Sequence, residues 1–248
     1  MILNNIYNFF LDILFPKKCL GCGQEGILIC PECFAQIPVF KSANCFVCHA
    51  RSFDGRICQK CRRKNRSILT GLLVCSDWNN LLLRQIIYDF KYRFIRELAV
   101  PLSWLMIEFL KYFQFENLPI FNFKNDELIF VPVPLHPRRL SWRGFNQSLL
   151  LANRVANYFN CRVDDKIIKR ARPTSPQMGI KEEKNRRRNI AGAFSLNKNI
   201  IKENKFYRDK IFVLIDDVST TGATLEECAQ ALKQLKPKEI WGLVIARR

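Results

Sequence analysis

Eight cysteines fall in four CxxC pairs, Cys19/Cys22, Cys30/Cys33, Cys45/Cys48 and Cys58/Cys61, all inside 43 residues of a 248-residue chain. No other feature restricts the fold as tightly. Each pair forms a short knuckle whose two sulfurs converge on one ion, and two knuckles complete a closed, tetrahedral, four-thiolate site of the structural kind. The block is therefore read as holding two structural Zn2+ ions. Sequential pairing leaves spacers of seven and nine residues inside the sites. A cross-braced pairing, first with third and second with fourth, suits the same spacing, so both stay open.

Disulfides are the competing use for so many cysteines. The opening stretch MILNNIYNFFLDILFP argues against a secreted chain: it has no basic start, carries Asp12 and reaches Pro16 too soon to span a bilayer. At helical spacing, Ile2, Ile6, Phe9, Phe10, Ile13 and Leu14 share one apolar face suited to packing on the protein itself. The expected setting is the reducing cytoplasm, with no transmembrane segment. His49, next to Cys48, reads as a bystander, and Cys75, Cys161 and Cys228 sit in apolar surroundings as small core residues. An N-terminal helix and double zinc ribbon (1–66) would end at the charged run RRKNRS, and a second unit would span 67–248.

The formal charge is +18; two four-thiolate zinc centres would lower it to about +14. Such a surface favours phosphate-bearing partners: nucleotides, nucleic acid or anionic membrane.

After the boundary, apolar strands alternate with helical patterns. Strands are expected at 71–78, 127–134, 210–217 and 239–246, and helices at 81–93, from near Pro101 to 113, at 146–159 and at 223–236. Continuous apolar strands separated by amphipathic helices indicate an α/β fold, a parallel sheet with helices on both faces. Ligands of such sheets bind at the carboxyl ends of the strands.

The stretch VLIDDVSTTGATL (213–225) delivers two acids and a hydroxyl-rich turn to that end of the penultimate strand. It suits a sugar phosphate. The N-terminus of the next helix offers unpaired N–H groups and a positive dipole to a dianion. Gly222 and Ala223 let the backbone approach closely, while Ser219, Thr220, Thr221 and Thr224 carry hydroxyl donors. Asp216 and Asp217 accept from ribose hydroxyls. A Walker B reading fails because no GxxxxGK[ST] is present.

VLIDDVSTTGAT resembles the phosphoribosyl pyrophosphate (PRPP) signature of type I phosphoribosyltransferases. Together with VPVPLHPRRLSWRGFNQS (131–148), RARPTSPQMG (170–179), RRRNIAGAF (186–194) and the cysteine block, it identifies the chain as similar to the ComF/GntX family. The resemblance implies a phosphoribosyltransferase-like domain behind a double zinc ribbon, and service in DNA uptake during natural transformation. It also implies Mg2+ bound with PRPP. Arg138, Arg139, Arg143 and Gly144 would form a pyrophosphate loop. Arg172, Gln177, Arg186 and Asn189 would belong to a basic hood (166–194) closing over the ligand. His136 is read as packed or exposed rather than as a proton carrier.

Two functions follow from the resemblance. One is a PRPP-binding protein that handles single-stranded DNA alongside a competence helicase or DNA-channel component, with the aromatics of YDFKYRF (88–94) and RRLSWRGF (138–145) stacking bases. The alternative is an active phosphoribosyltransferase passing phosphoribose to a nucleobase or related acceptor with release of pyrophosphate. No nucleobase pocket is legible in the sequence.

Overall fold

The computed structural model describes residues 16–52, 54–115, 127–172, 190–197, 199–200 and 204–248. The apolar N-terminal face (residues 2–14) lies outside them, as does most of the expected hood.

The N-terminal quarter is built on cysteine knuckles. Helix α1 (Pro31–Ala35) opens on Cys30, whose side chain accepts from the Cys33 amide, with proline in the first turn where its missing N–H does no harm. Strands β1 (Ala43–Asn44) and β2 (Arg51–Ser52) form a two-residue antiparallel ribbon, and α2 (Gln59–Arg63) follows Cys58.

β3 (Gly71–Asp77) then starts the main sheet. It leads through α3 (Leu81–Tyr92) and a 3-10 turn (Arg96–Leu98) into α4 (Ala99–Phe115), so that helix starts two residues before Pro101. β4 (Leu128–Pro132) is followed by α5 (Pro137–Arg143), α6 (Gln147–Phe159) and β5 (Arg162–Val163). An antiparallel pair comes next, β6 (Ile168–Arg170) with β7 (Phe194–Leu196), then α7 (Asn204–Tyr207). The chain closes with β8 (Ile211–Ser219), α8 (Ala223–Leu232), a 3-10 turn (Lys233–Leu235) and β9 (Glu239–Arg247).

Among the described residues the main sheet has five strands in the order β3-β9-β8-β4-β5, every pairing parallel. Its strands are apolar at nearly every position because both faces are covered. Alternation along β8 divides the core. Val213 and Ile215 pack with α3, α4 and α6 through Ile86, Phe90, Leu105 and Val155, whereas Phe212 and Leu214 pack with α8 through Leu225, Cys228 and Leu232. Cys75 and Cys228 are buried in these layers and Cys161 is half-buried at the edge of one. Ribbon residues cover the outer edge of β3 through bridges Val39–Ser76 and Arg56–Gly71, which shields an otherwise open strand.

The fold places two strand ends side by side. β4 and β8 pair in register from Leu128–Ile211 to Pro132–Ile215, and the Val133 amide donates to the Ile215 carbonyl at 2.9 Å. The segment leaving β4 therefore faces the turn leaving β8. Among the described residues no helix is long and apolar enough to cross a membrane.

Candidate functional site

A cleft of about 920 Å³ opens at the carboxyl end of the sheet. Asp216, Asp217, Thr220 and Thr224 line one wall, coming from the end of β8 and the start of α8; Arg138, Arg139 and Arg143 from α5 line another. The third wall is α3, with Arg84, Tyr88, Lys91 and Tyr92. Gln147 and Ser148 of α6, Arg170 of β6, Trp78 and Arg248 also line it.

The arginines stand on a helix where a stiff loop was expected. Pro137 occupies its first turn, His136 caps it by accepting the Arg138 amide on Nδ1 at 3.2 Å, and Gly144 ends it at φ +74°. The tandem prolines 132, 134 and 137 read as a rigid exit, yet Pro137 has the φ that a helix start requires. His136 is thus a capping residue. Burial, followed by the charges of Arg170, Arg138 and Arg139, lowers its pKa. Asn146 caps α6 by accepting the Ser148 amide at 3.1 Å.

The two acids have different surroundings. Asp217 is buried and pairs with Lys91 Nζ at 2.8 Å. Asp216 is half-buried; its Oδ1 accepts from Ser148 Oγ at 3.0 Å and from the Asp217 amide at 2.9 Å. Desolvation first, then the Asp217 carboxylate, pushes Asp216 up to about 7, although Lys91 and both hydrogen bonds oppose the rise. On the opposing wall burial lowers the Arg143 guanidinium, with Asp217 acting against it, and Arg143 Nε is buried without a hydrogen-bond partner. The amide nitrogen of Gln147 is in the same state. A buried guanidinium donor and a buried amide donor beside two acids suit a ligand that carries both anionic oxygens and hydroxyls.

Not every residue singled out in the sequence reaches this cleft. Ser219 is buried with its hydroxyl unpartnered, and Gly222 caps α8 at φ +81°. Thr221, whose Oγ1 accepts the Ala223 amide at 3.3 Å, lines a second cavity of about 380 Å³ together with Ala223. Arg172 is exposed and donates to the Ala191 carbonyl at 2.6 Å. Gln177, Arg186 and Asn189 lie outside the described residues.

Sequence reading missed Arg84, Lys91, Ser148 and Arg248. A signal existed for α3: Arg84, Tyr88, Lys91 and Tyr92 recur at spacings of four, three and one, a stripe along one helix face. The structure also unites the two aromatic-basic stretches. Trp142 lies 6.4 Å from Tyr92 and meets Phe94 edge-on at 4.9 Å, and Arg143 stands 5.7 Å from the Tyr92 ring. Trp142 is 58% exposed and Tyr88 51%, an unusual outlay of aromatic surface beside cations.

The eight cysteines gather as Cys19, Cys22, Cys30, Cys33 and as Cys45, Cys48, Cys58, Cys61, with the sulfurs of each set within 4.8 Å of one another. The pairing is sequential. Each set has the donor chemistry of a closed tetrahedral zinc site, and backbone amides already point at its sulfurs, as Cys30 N to Cys19 Sγ at 3.3 Å. Burial raises Cys19 most, but the amides of Cys22, Cys30 and Gly21 outweigh it and bring the thiol to about 6. Cys45 is likewise brought to about 7, against burial, by amides of Cys58, Cys48 and Val47. Cys33 rises to about 12, first through Cys30 and then through burial, and Cys61 to about 12 through burial and then its three partners. Four crowded sulfurs cannot all ionise without a cation among them, and zinc supplies it. His49 belongs to neither set.

Comparison with known proteins agrees with this architecture. Residues 10–62 match the double zinc ribbon domain and residues 146–248 the phosphoribosyl transferase domain. The chain is 34% identical over 216 residues to "DNA utilization protein YhgH" of Salmonella typhi, covering 86% of this chain and 82% of that protein. It is 38% identical over 118 residues to "Competence protein F" of Haemophilus influenzae, covering 47% of this chain and 49% of that protein. Against the protein named YhgH from Escherichia coli K12 it is 37% identical over 102 residues, 41% of either chain. The matched region thus spans about half, or less, of the length of these last two relatives.

Proposed function

The chain belongs to the competence protein F family, with a phosphoribosyltransferase-type sheet behind a double zinc ribbon, and from that premise we propose that it binds PRPP or a related ribose phosphate and handles single-stranded DNA during natural transformation in the cytoplasm. The observation that carries the reading is the cleft itself, where an acid pair and a hydroxyl turn face arginines across adjacent strand ends. In this reading Asp216 and Asp217 accept from the ribose 2′- and 3′-hydroxyls. Thr220, Thr224 and the amides opening α8 hold the 5-phosphate. Arg138, Arg139 and Arg143 hold the pyrophosphate, and Arg172, Gln177, Arg186 and Asn189 are proposed as further ligand contacts. Mg2+ fits the crowded carboxylates and would arrive with the ligand, neutralising pyrophosphate and raising its leaving ability.

The DNA component rests on the relatives' names, the +18 charge and the joined aromatic-basic wall of Tyr88, Tyr92, Phe94 and Trp142. A competence helicase or DNA-channel component is the protein partner this reading proposes. Bases stacking on that wall would contribute about 1–3 kcal/mol each, and phosphate contacts would make affinity fall steeply with salt. Fluorescence anisotropy with a labelled oligonucleotide checks this: binding should weaken at least tenfold from 50 to 200 mM salt, and a salt-independent signal removes the DNA role.

The same aromatic wall beside the acids favours a second reading, transfer of phosphoribose to a planar acceptor such as a nucleobase. The groups present position and stabilise charge for displacement at ribose C1, and no protein nucleophile is required. Pyrophosphate release with PRPP, Mg2+ and a panel of acceptors tests turnover; silence across the panel leaves binding without catalysis.

A further inference from the structure

The second cysteine set and the hydroxyl turn are tied by one arginine. Phe46, between Cys45 and Cys48, is buried, and its ring comes within 3.4 Å of where a Cβ on Gly222 would stand. Arg247, at the end of β9, bridges the two. Its Nη1 donates to the Phe46 carbonyl at 2.6 Å and its Nε to the Thr220 carbonyl at 3.1 Å, with the guanidinium 5.9 Å from the Phe46 ring.

Each of these carbonyls belongs to a rigid trans peptide, so its partner N–H points the opposite way. In the Phe46–Val47 peptide that N–H is one of the amides directed at Cys45 Sγ. In the Thr220–Thr221 peptide the N–H belongs to the phosphate turn. One side chain therefore sets the orientation of a peptide that serves a metal ligand and of a peptide in the anion-binding turn. The linker after Cys61 reinforces the tie: Ser67 Oγ donates to Glu226, and the Ile68 amide donates to Glu226 at 2.9 Å, holding the first turn of α8. The first cysteine set has its contacts elsewhere, with Lys17 paired to Glu97 and Asn80 donating to the Gln36 carbonyl.

We propose that Arg247 is a positioning residue that couples zinc occupancy of the second four-cysteine site to phosphate binding at the 219–224 turn, making that zinc a regulatory ion as well as a structural one. The inference rests on the ribose-phosphate reading of the cleft. Coupling between sites is reciprocal, so ligand in the cleft must tighten zinc binding at the second set by the factor through which zinc strengthens ligand binding, and slower zinc release is the readout of that tightening.

The test uses the full zinc-loaded chain. Zinc release to a chromogenic chelator is followed with and without saturating PRPP and Mg2+, while calorimetry on the same samples records binding. Gly21→Ala identifies the release phase of the first set, because its Cβ would lie 2.5 Å from Cys33 Sγ. Ligand should slow the other phase at least about fivefold, Arg247→Gln should abolish that slowing, and Arg247→Lys should restore part of it. Binding heat with both phases unchanged overturns the coupling and leaves the ribose-phosphate reading standing; absence of heat overturns both. If Arg247→Gln does not fold, Arg247→Lys decides: slowing weaker than in wild type supports the role of Arg247, and slowing equal to wild type overturns it.

Discussion

The two cysteine sets are made of the same knuckles, but they sit on opposite faces of the sheet. Cys19, Cys30 and Cys33 join Ile29 and Ile37 in the core layer shared with α3, α4 and α6. Cys45, Phe46, Ile57 and Cys61 join the layer shared with α8, behind the 219–224 turn. Identical local chemistry therefore has different surroundings: the first set packs on scaffold, whereas the second packs behind the turn that leads into the candidate site. The difference comes from packing partners, since the metal-binding motif itself is the same.

Removing one ligand from each set gives the largest separation. Cys33→Ser and Cys61→Ser should each lose a zinc and lower the melting temperature by about 10 °C or more, because structural zinc contributes folding free energy directly. Below both transitions, Cys61→Ser should also lose ribose-phosphate binding while Cys33→Ser keeps it. Equal loss in both variants would erase the distinction between scaffold and site.

A subtler pair acts through glycines. Gly222→Ala places a side chain at φ +81° against the Phe46 ring, a strain of about 1–2 kcal/mol, and should weaken ligand binding at least tenfold. Gly21→Ala meets a sulfur that a bound zinc holds in place, so it should speed zinc loss with ligand affinity unchanged. Isothermal titration of both variants against the wild type checks this.

The smallest contrast is electrostatic. Arg56, half-buried over Trp241 and paired with Glu239 at 2.7 Å, should cost about 1–2 kcal/mol on truncation to alanine. Lys17, paired with Glu97 at the exposed surface, should cost under about 0.5 kcal/mol. Chemical denaturation resolves the two, and a larger effect at Lys17 would reverse the ranking.

Much of this was legible in residues. Continuous apolar runs announced β3, β8 and β9 to within a few positions, because a strand buried on both faces has little room for polar side chains. The place of the acid pair was legible too: Asp216 and Asp217 stand at the end of β8 and line the cleft at the carboxyl end of the sheet. Cysteine pairing was not: all four knuckles look alike, and only their packing on separate faces decides partners. α5 was hidden by prolines that read as rigid loop. Lys91 and Tyr92 were assigned to a helix, but periodicity gives a face and not the neighbour across it, here an acid 126 positions away from Lys91 in Asp217.

Asp216 links stability to the site. Folding raises its pKa from 3.8 to about 7, so its ionisation opposes folding: the penalty is absent below the unfolded value and complete above about 7. Asp216→Asn should accordingly melt several degrees higher than wild type at pH 8 and level with it near pH 4, as differential scanning calorimetry would record.

The most direct measurement is a calorimetric titration of PRPP with Mg2+ from pH 5.5 to 8.5 on wild type and Asp216→Asn. The ratio of their affinities cancels the ligand's own titration. Cleft binding through Asp216 predicts a ratio near one at the acid end that climbs through about pH 7 to at least tenfold. A ratio flat across the range, or no heat from wild type at any pH, contradicts it.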